Sequence, residues 1–179
     1  MRTTGTLAAI AAAVALLAGY RAAQGGADVT PQPQTGSLPS YWEYGPTDLA
    51  HKVWKSEDEW RKLLSPLSFR VTRQAGTETA FTGATWNNHE HGVYRCIACG
   101  LEIYSSDAKY ESGTGWPSFY QPIAPDRITT RRDWGLGLPR TEVRCARCDS
   151  HLGHVFDDGP PPTGLRYCMN SAALYFEKR

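Results

Sequence analysis

Gly92-Val93-Tyr94-Arg95-Cys96-Ile97-Ala98-Cys99-Gly100-Leu101-Glu102-Ile103-Tyr104 reads as a strand, a turn carrying two thiols, and a second strand. The flanking runs are short, alternate in character and are rich in β-branched and aromatic residues, while Gly100 lets the chain turn sharply behind Cys99. The pattern returns at Thr141-Glu142-Val143-Arg144-Cys145-Ala146-Arg147-Cys148, with Asp149 in place of Gly100. Two residues between thiolates let both sulfurs meet one metal, with backbone amides turned toward them. Two such knuckles complete a tetrahedral sulfur set, which suits zinc. Disulfides and a redox Cys-x-x-Cys are the rival readings. A redox pair opens a helix in a thioredoxin-like context, and neither pair does so here. The long separation of the pairs favours zinc over disulfides. With Cys96, Cys99, Cys145 and Cys148 filling every position, the Zn2+ is structural and joins two hairpins distant in sequence. No organic cofactor is expected.

Working outward, Leu165 to Asn170 is another short strand run bounded by turn residues. No strand–helix–strand rhythm appears, so a doubly wound parallel sheet is excluded, and residues from about 80 to 179 read as an antiparallel β domain. Upstream, Ser56-Glu57-Asp58-Glu59 is a capping box, followed at helical spacing by Trp60, Leu63 and Leu64. Ser65-Pro66 stops that helix and caps a second one, whose apolar side is Leu67 and Val71 and whose C-terminal cap is Gly76. The pair reads as a lid without chemistry of its own.

The 179 residues suit one domain with a modest extension. A hydrophobic share of 41% supports a packed core, and a net charge of +1 excludes the basic excess of a nucleic-acid binder. Arg2 followed by the apolar run Leu7 to Gly19 reads as a secretory signal over residues 1–27, with cleavage after Ala27, or as an uncleaved anchor. The expected location is therefore exported, in a bacterial periplasm, with membrane tethering as the alternative. Leu16 to Tyr20 resembles a lipoprotein signal, but Tyr20 offers no thiol for a lipid. Residues 28–47, rich in Gly, Pro, Gln and Thr, read as a flexible linker, and 48–179 as the domain.

Five cysteines leave one outside the knuckles. A lone cysteine is ordinarily a small buried hydrophobe. Cys168, however, lies in Arg166-Tyr167-Cys168-Met169-Asn170, where strand alternation sends Arg166, Cys168 and Asn170 to one face and Tyr167 and Met169 to the core. A guanidinium beside a thiol favours the nucleophilic thiolate. Asn170 can orient a water or a substrate. His151-Leu152-Gly153-His154 supplies two imidazoles close by. Alone they would read as solvated loop histidines; a metal-ligand role falls away because four cysteines already satisfy the metal. Beside a nucleophile they are candidate proton donors.

The stretches Cys96 to Cys99, Ser112-Gly113-Thr114-Gly115-Trp116-Pro117-Ser118-Phe119, Arg144 to Cys148, His151 to Phe156 and Arg166 to Ser171 together resemble methionine sulfoxide reductase B, in order and in spacing, over roughly Ser56 to Lys178. The resemblance implies a mainly β fold of two packed antiparallel sheets with short N-terminal helices. It implies reduction of the R epimer of methionine sulfoxide, free or in oxidised proteins, in repair of oxidative damage. In that family Cys168 matches the nucleophile, and His151, His154 and Asn170 match residues that bind and protonate the sulfoxide or order a water. Trp116 and Phe156 match the S-methyl pocket, and Arg166 matches the residue that activates the cysteine. Many family members carry a resolving cysteine where this chain has Thr114. With every other thiol assigned to metal, the chain resembles the one-cysteine subgroup, recycled by an external thiol such as a thioredoxin-like protein. A monomer is expected. The competing function is a zinc-bearing binding module, which explains the knuckles and aromatics but leaves the thiol, arginine and two histidines without a purpose.

Overall fold

In the computed structural model, residues 37–135 and 137–179 are described. The apolar segment read as an export signal and the first part of the linker lie outside the described residues. Among the described residues, no helix is long and apolar enough to cross a membrane.

Helix α1 (Glu57–Leu63) starts where the sequence asks it to: the Ser56 hydroxyl accepts from the Glu59 amide at 3.3 Å, and the Glu59 carboxylate takes the Ser56 amide at 2.7 Å. Helix α2 (Pro66–Gln74) is capped by Ser65 and begins on proline. Trp60, Phe69 and Val71 are the apolar side chains that the pair buries, and α2 packs on the strand bearing the histidines. Its end differs from expectation. Ala75, not Gly76, takes the left-handed conformation (φ 51°). Gly76 is there for close approach instead, since a Cβ would stand 3.0 Å from the Arg70 carbonyl oxygen.

Among the described residues nine strands follow: β1 (Gly92–Cys96), β2 (Glu102–Ser105), β3 (Lys109–Tyr110), β4 (Ser118–Phe119), β5 (Ile128–Asp133), β6 (Arg140–Cys145), β7 (His151–Phe156), β8 (Arg166–Met169) and β9 (Leu174–Lys178). They form two antiparallel sheets, ordered β2-β1-β9 and β3-β4-β8-β7-β6-β5. Between them lies an aromatic core in which Tyr104 stacks on Phe119 at 4.3 Å and Tyr94 meets Phe119 edge-on at 4.9 Å. The Tyr104 hydroxyl donates to the Met169 sulfur at 3.2 Å. Met169, Val143, Leu152 and Leu174 complete the layer, each fully buried apolar side chain contributing about 1.5–3 kcal/mol.

The outer face of the larger sheet carries a row of directly opposed residues: Tyr110, Ser118, Cys168, His154, Glu142 and Arg131. Opposed residues share a face, so this polar row stands over a sheet whose other face is core. A bulge in β7 adds to it. Val143 pairs with Gly153 but Arg144 pairs with His151, leaving Leu152 as the extra residue. His151 and His154, three apart and hence on opposite faces of a regular strand, therefore share one.

Part of the stretch read as a linker is docked. The Tyr41 hydroxyl and the Trp42 indole both donate to the Ile97 carbonyl, at 3.0 and 3.1 Å, and Trp42 packs edge-on against Tyr175. Arg147 holds the Gly45 and Asp48 carbonyls at 2.7 and 3.1 Å. Aromatic side chains with a polar tip find both an apolar wall and an open carbonyl on the first knuckle, and this outweighs the surrounding Gly and Pro.

Gly153 sits where β7 and β8 approach closely: a Cβ would come 2.1 Å from the Cys168 carbonyl oxygen. Gly153→Ala must push the two strands apart. We expect a loss of about 1–3 kcal/mol, read as a fall in Tm of roughly 2–12 °C, at about 2–4 °C per kcal/mol for a domain of this size. An unchanged melting curve would contradict the close strand contact.

Candidate active site

The two knuckles have the same backbone. Gly100 and Asp149 are both left-handed (φ 77° and 59°), and their amides donate to the Cys96 and Cys145 carbonyls at 2.8 and 2.9 Å. The sulfurs of Cys96 and Cys148 stand 3.6 Å apart, as do those of Cys99 and Cys145, and all four lie within 4.8 Å of one another. All four residues are buried, and none is in a disulfide. A tetrahedral zinc with bonds of about 2.3 Å requires sulfur separations of about 3.8 Å. The cluster fits that ion, and it joins the end of β1 to the end of β6.

Cys168 is half-buried on the outer face of the larger sheet, in a cleft of about 120 Å³ lined by Trp116, Phe156, His154, Asn170 and Arg140. The structure thus brings five of the expected site residues together: Cys168, His154, Asn170, Trp116 and Phe156. His151 and Arg166 stand just outside. His151 is 2% exposed, behind the cleft, with its ring 5.3 Å from that of His154. Arg166 lies over the Phe156 ring at 4.4 Å and is gripped by Asp158 through two hydrogen bonds of 2.8 Å. Asn170 follows β8; its amide oxygen accepts from the Glu78 N–H at 3.0 Å and its nitrogen donates to the Leu152 carbonyl at 3.1 Å. The Trp116 indole donates to the Glu78 carbonyl at 3.1 Å.

Each histidine has its own carboxylate. His154 Nε2 meets Asp133 Oδ2 at 2.7 Å, and Arg140 meets the same oxygen at 2.6 Å. The Gly135 amide, then His154 and Arg140, hold the Asp133 carboxyl well below the usual carboxylate range. The ring is thereby fixed with Nε2 toward Asp133 and Nδ1 as its other nitrogen. His151 Nδ1 meets Glu142 Oε1 at 2.7 Å. Burial pushes His151 below the ordinary imidazole value despite that carboxylate. Burial would raise Glu142, but the hydrogen bond with His151 and the charges of Arg144 and Arg131 outweigh it and bring the group down. A neutral imidazole beside an ionised carboxylate follows at neutral pH, with the His151 proton on Nδ1 and a bare, buried Nε2 that has no protein partner.

Neither carboxylate is among the site residues expected from the sequence. Glu142 is visible in principle, because an acid two residues before Arg144 in a strand shares that residue's face. Asp133 and Arg140 bracket a hairpin whose pairing only the structure reveals, and nothing local marks Glu78.

The thiol itself departs from expectation. Burial pushes the Cys168 thiol up, and the opposing pull of Thr114, Arg166 and Ser118 does not cancel it. The reason is visible in the geometry, since the Arg166 charge is largely engaged by Asp158. Thr114 Oγ1 stands 3.9 Å from the Cys168 sulfur and continues through Ser112 to Ser118 in hydrogen bonds of 2.8 and 2.7 Å.

A two-sheet β protein with a thiol cleft on one sheet and a four-cysteine cluster beside it is the class these features define. The family model for the SelR domain matches residues 64–178. A protein from Synechococcus sp. (strain RCC307) named "Peptide methionine sulfoxide reductase MsrB" is 59% identical over 127 residues, covering 71% of this chain and 93% of that one. A protein of the same name from Leptospira interrogans is 55% identical over 130 residues, covering 73% and 99%, and one from Thiobacillus denitrificans is 55% identical over 125 residues, covering 70% and 95%. The chain belongs to the methionine sulfoxide reductase B family, a family of oxidoreductases.

The pH dependence of thiol alkylation checks the electrostatics. In the free enzyme, alkylation of Cys168 should rise with a midpoint above the ordinary thiol value of about 8.5. Asp158→Asn frees the guanidinium and should move that midpoint down; Arg166→Ala should move it up. A wild-type midpoint below neutral would contradict the dominance of burial.

Proposed function

We propose that this chain reduces the R epimer of methionine sulfoxide in oxidised polypeptides to methionine, with Cys168 as nucleophile, and so repairs oxidative damage. The observation that carries the reading is the direct cross-strand pairing of Cys168 with His154 in a small cleft walled by Trp116 and Phe156. A cleft of about 120 Å³ takes the methylsulfinyl end of a side chain and leaves the polypeptide outside. Trp116 and Phe156 face the S-methyl group; His154 and Asn170 face the oxygen. An apolar wall, a polar wall and a thiol are three different contacts around a tetrahedral sulfur, which is what discrimination between epimers needs, and each sulfoxide epimer has its own reductase.

The Cys168 sulfur, as thiolate, attacks the sulfinyl sulfur while His154 protonates the oxygen, with Asp133 orienting the ring. The sulfur–sulfur bond formed in that attack breaks as the protonated oxygen passes from the methionine sulfur to Cys168, so the methionine sulfur gains two electrons, methionine leaves and Cys168 is oxidised to a sulfenic acid. His151 through its bare Nε2 holds an ordered water or the protonated oxygen. Arg166 limits the cost of forming the thiolate. An external thiol, expected on a thioredoxin-like protein, then attacks the sulfenic acid, expels water and leaves a mixed disulfide that a second thiol resolves. Two observations support recycling from outside: the residue beside the Cys168 sulfur is Thr114, and the other four cysteines converge on a buried cluster. In this reading the apolar N-terminal segment exports the chain to the periplasm, so the reductant must be delivered there.

Zinc is the ion proposed for the four-cysteine cluster. Bound there, it would supply structural cross-linking and no catalytic chemistry, since protein sulfurs fill all its positions.

A racemic mixture of N-acetyl methionine sulfoxide with an artificial dithiol tests the activity. Consumption should stop at the R epimer, and Cys168→Ser should consume neither. His154→Ala should lose about 10²–10⁴-fold in kcat. Equal use of both epimers, or turnover by Cys168→Ser, would contradict the reading.

Metal analysis tests the cluster separately. About one zinc per chain should be found, and Cys145→Ser should lose it together with fold stability. Two disulfides and no metal would overturn the assignment.

A further inference from the structure

Both walls of the cleft are tied to one residue that does not line it. Glu78 is 3% exposed. Its N–H donates to the Asn170 side chain at 3.0 Å, and its carbonyl accepts the Trp116 indole N–H at 3.1 Å. Its carboxylate oxygens accept the Ser171 and Ala172 amides, at 2.5 and 2.8 Å. Those two amides open the tight turn that begins just three residues beyond Cys168. Two hydrogen bonds to an ionised carboxylate are stronger and stiffer than neutral ones. The chain then returns against the same turn: Thr85 reaches the Ser171 hydroxyl through its amide and its own hydroxyl, at 3.3 and 3.0 Å. A Cβ at Gly83 would stand 2.2 Å from that hydroxyl and 2.7 Å from the Glu78 carboxylate, so the loop can lie this close only with glycine there.

We propose that Glu78 is a positioning residue for the sulfoxide cleft. Its carboxylate clamps the turn after Cys168, and its own backbone, held in place by that clamp, fixes the distance between the Trp116 wall and Asn170. The inference rests on the cleft being the sulfoxide site. Burial pushes the Glu78 carboxyl up, and the Ala172 and Ser171 amides oppose this in part; they are the reason a buried acid is useful here. An amide side chain in its place could accept only one of the two N–H groups, and its own NH2 would face the other.

The test compares two half-properties of the full chain. In Glu78→Gln, kcat/KM for the R sulfoxide should fall about tenfold, the loss expected for one charge-assisted hydrogen bond. The alkylation rate of Cys168 by iodoacetamide and the metal content should stay at wild-type values, because neither the thiol nor the knuckles touch Glu78. Trp116→Phe, which removes only the indole donor and part of the ring, supplies the second arm. If Glu78 acts through Trp116, the double variant should lose less than the product of the two single losses. Where the glutamine variant does not accumulate, Glu78→Asp, which shortens the reach by one methylene, should give the same split between turnover and alkylation. Wild-type kcat/KM in the glutamine or aspartate variant would overturn the proposal, as would losses that multiply, or a parallel fall in alkylation that marks general loosening. A wild-type chain inactive on both epimers would instead sink the proposed function itself, so the two failures are distinguishable.

Discussion

Cys168 and His154 face each other across the β7–β8 ladder, and the site depends on that register holding. A slip of one residue would turn the thiol into the aromatic core and bring Tyr167 or Met169 to the outer face. Gly153, which lets the two backbones approach, and the paired residues on either side, Val155 with Tyr167 and Gly153 with Met169, lock the register from the core side. The row of Ser118, Cys168, His154 and Glu142 is thus a consequence of packing on the opposite face.

The bulge at Leu152 is the second device. It spends one residue to bring His151 onto the same face as His154, and each ring then meets a carboxylate from the neighbouring β5–β6 hairpin, Glu142 for one and Asp133 for the other. The two histidines are consequently different. His151 is buried and neutral with a bare nitrogen, whereas His154 lines the cleft with its orientation set from behind. This difference underlies the roles proposed for them, an acceptor for water or oxygen and a proton donor.

Much of this was legible in the sequence. Cys-x-x-Cys twice over, strand alternation around Cys168 and the Ser56–Glu59 capping box are local patterns, and local patterns survive folding with little change. The strands Gly92–Cys96 and Thr141–Cys145 and both helices were visible for the same reason. What escaped is what depends on pairing between distant segments. The bulge makes odd-spaced histidines co-facial, against the alternation rule. Asp133 and Arg140 become neighbours only when their hairpin closes, and Glu78 reaches Asn170 and Trp116 from far away in sequence. The sequence places Arg166 on the face of Cys168, but it marks neither Asp158, which occupies the guanidinium, nor the burial that outweighs its charge. Tyr41 and Trp42 were hidden in a composition that resembles a tether, although two aromatics with polar tips are what a knuckle carbonyl can hold.

The central claim is that Cys168 alone changes oxidation state while the four-cysteine cluster does not. A single turnover with the R sulfoxide in the absence of any reductant, quenched with a sulfenic-acid probe and followed by peptide mass mapping, measures this directly. The account predicts the probe on Cys168, with Cys96, Cys99, Cys145 and Cys148 unlabelled and not cross-linked. A disulfide between Cys168 and any of those four cysteines after the turnover would contradict it.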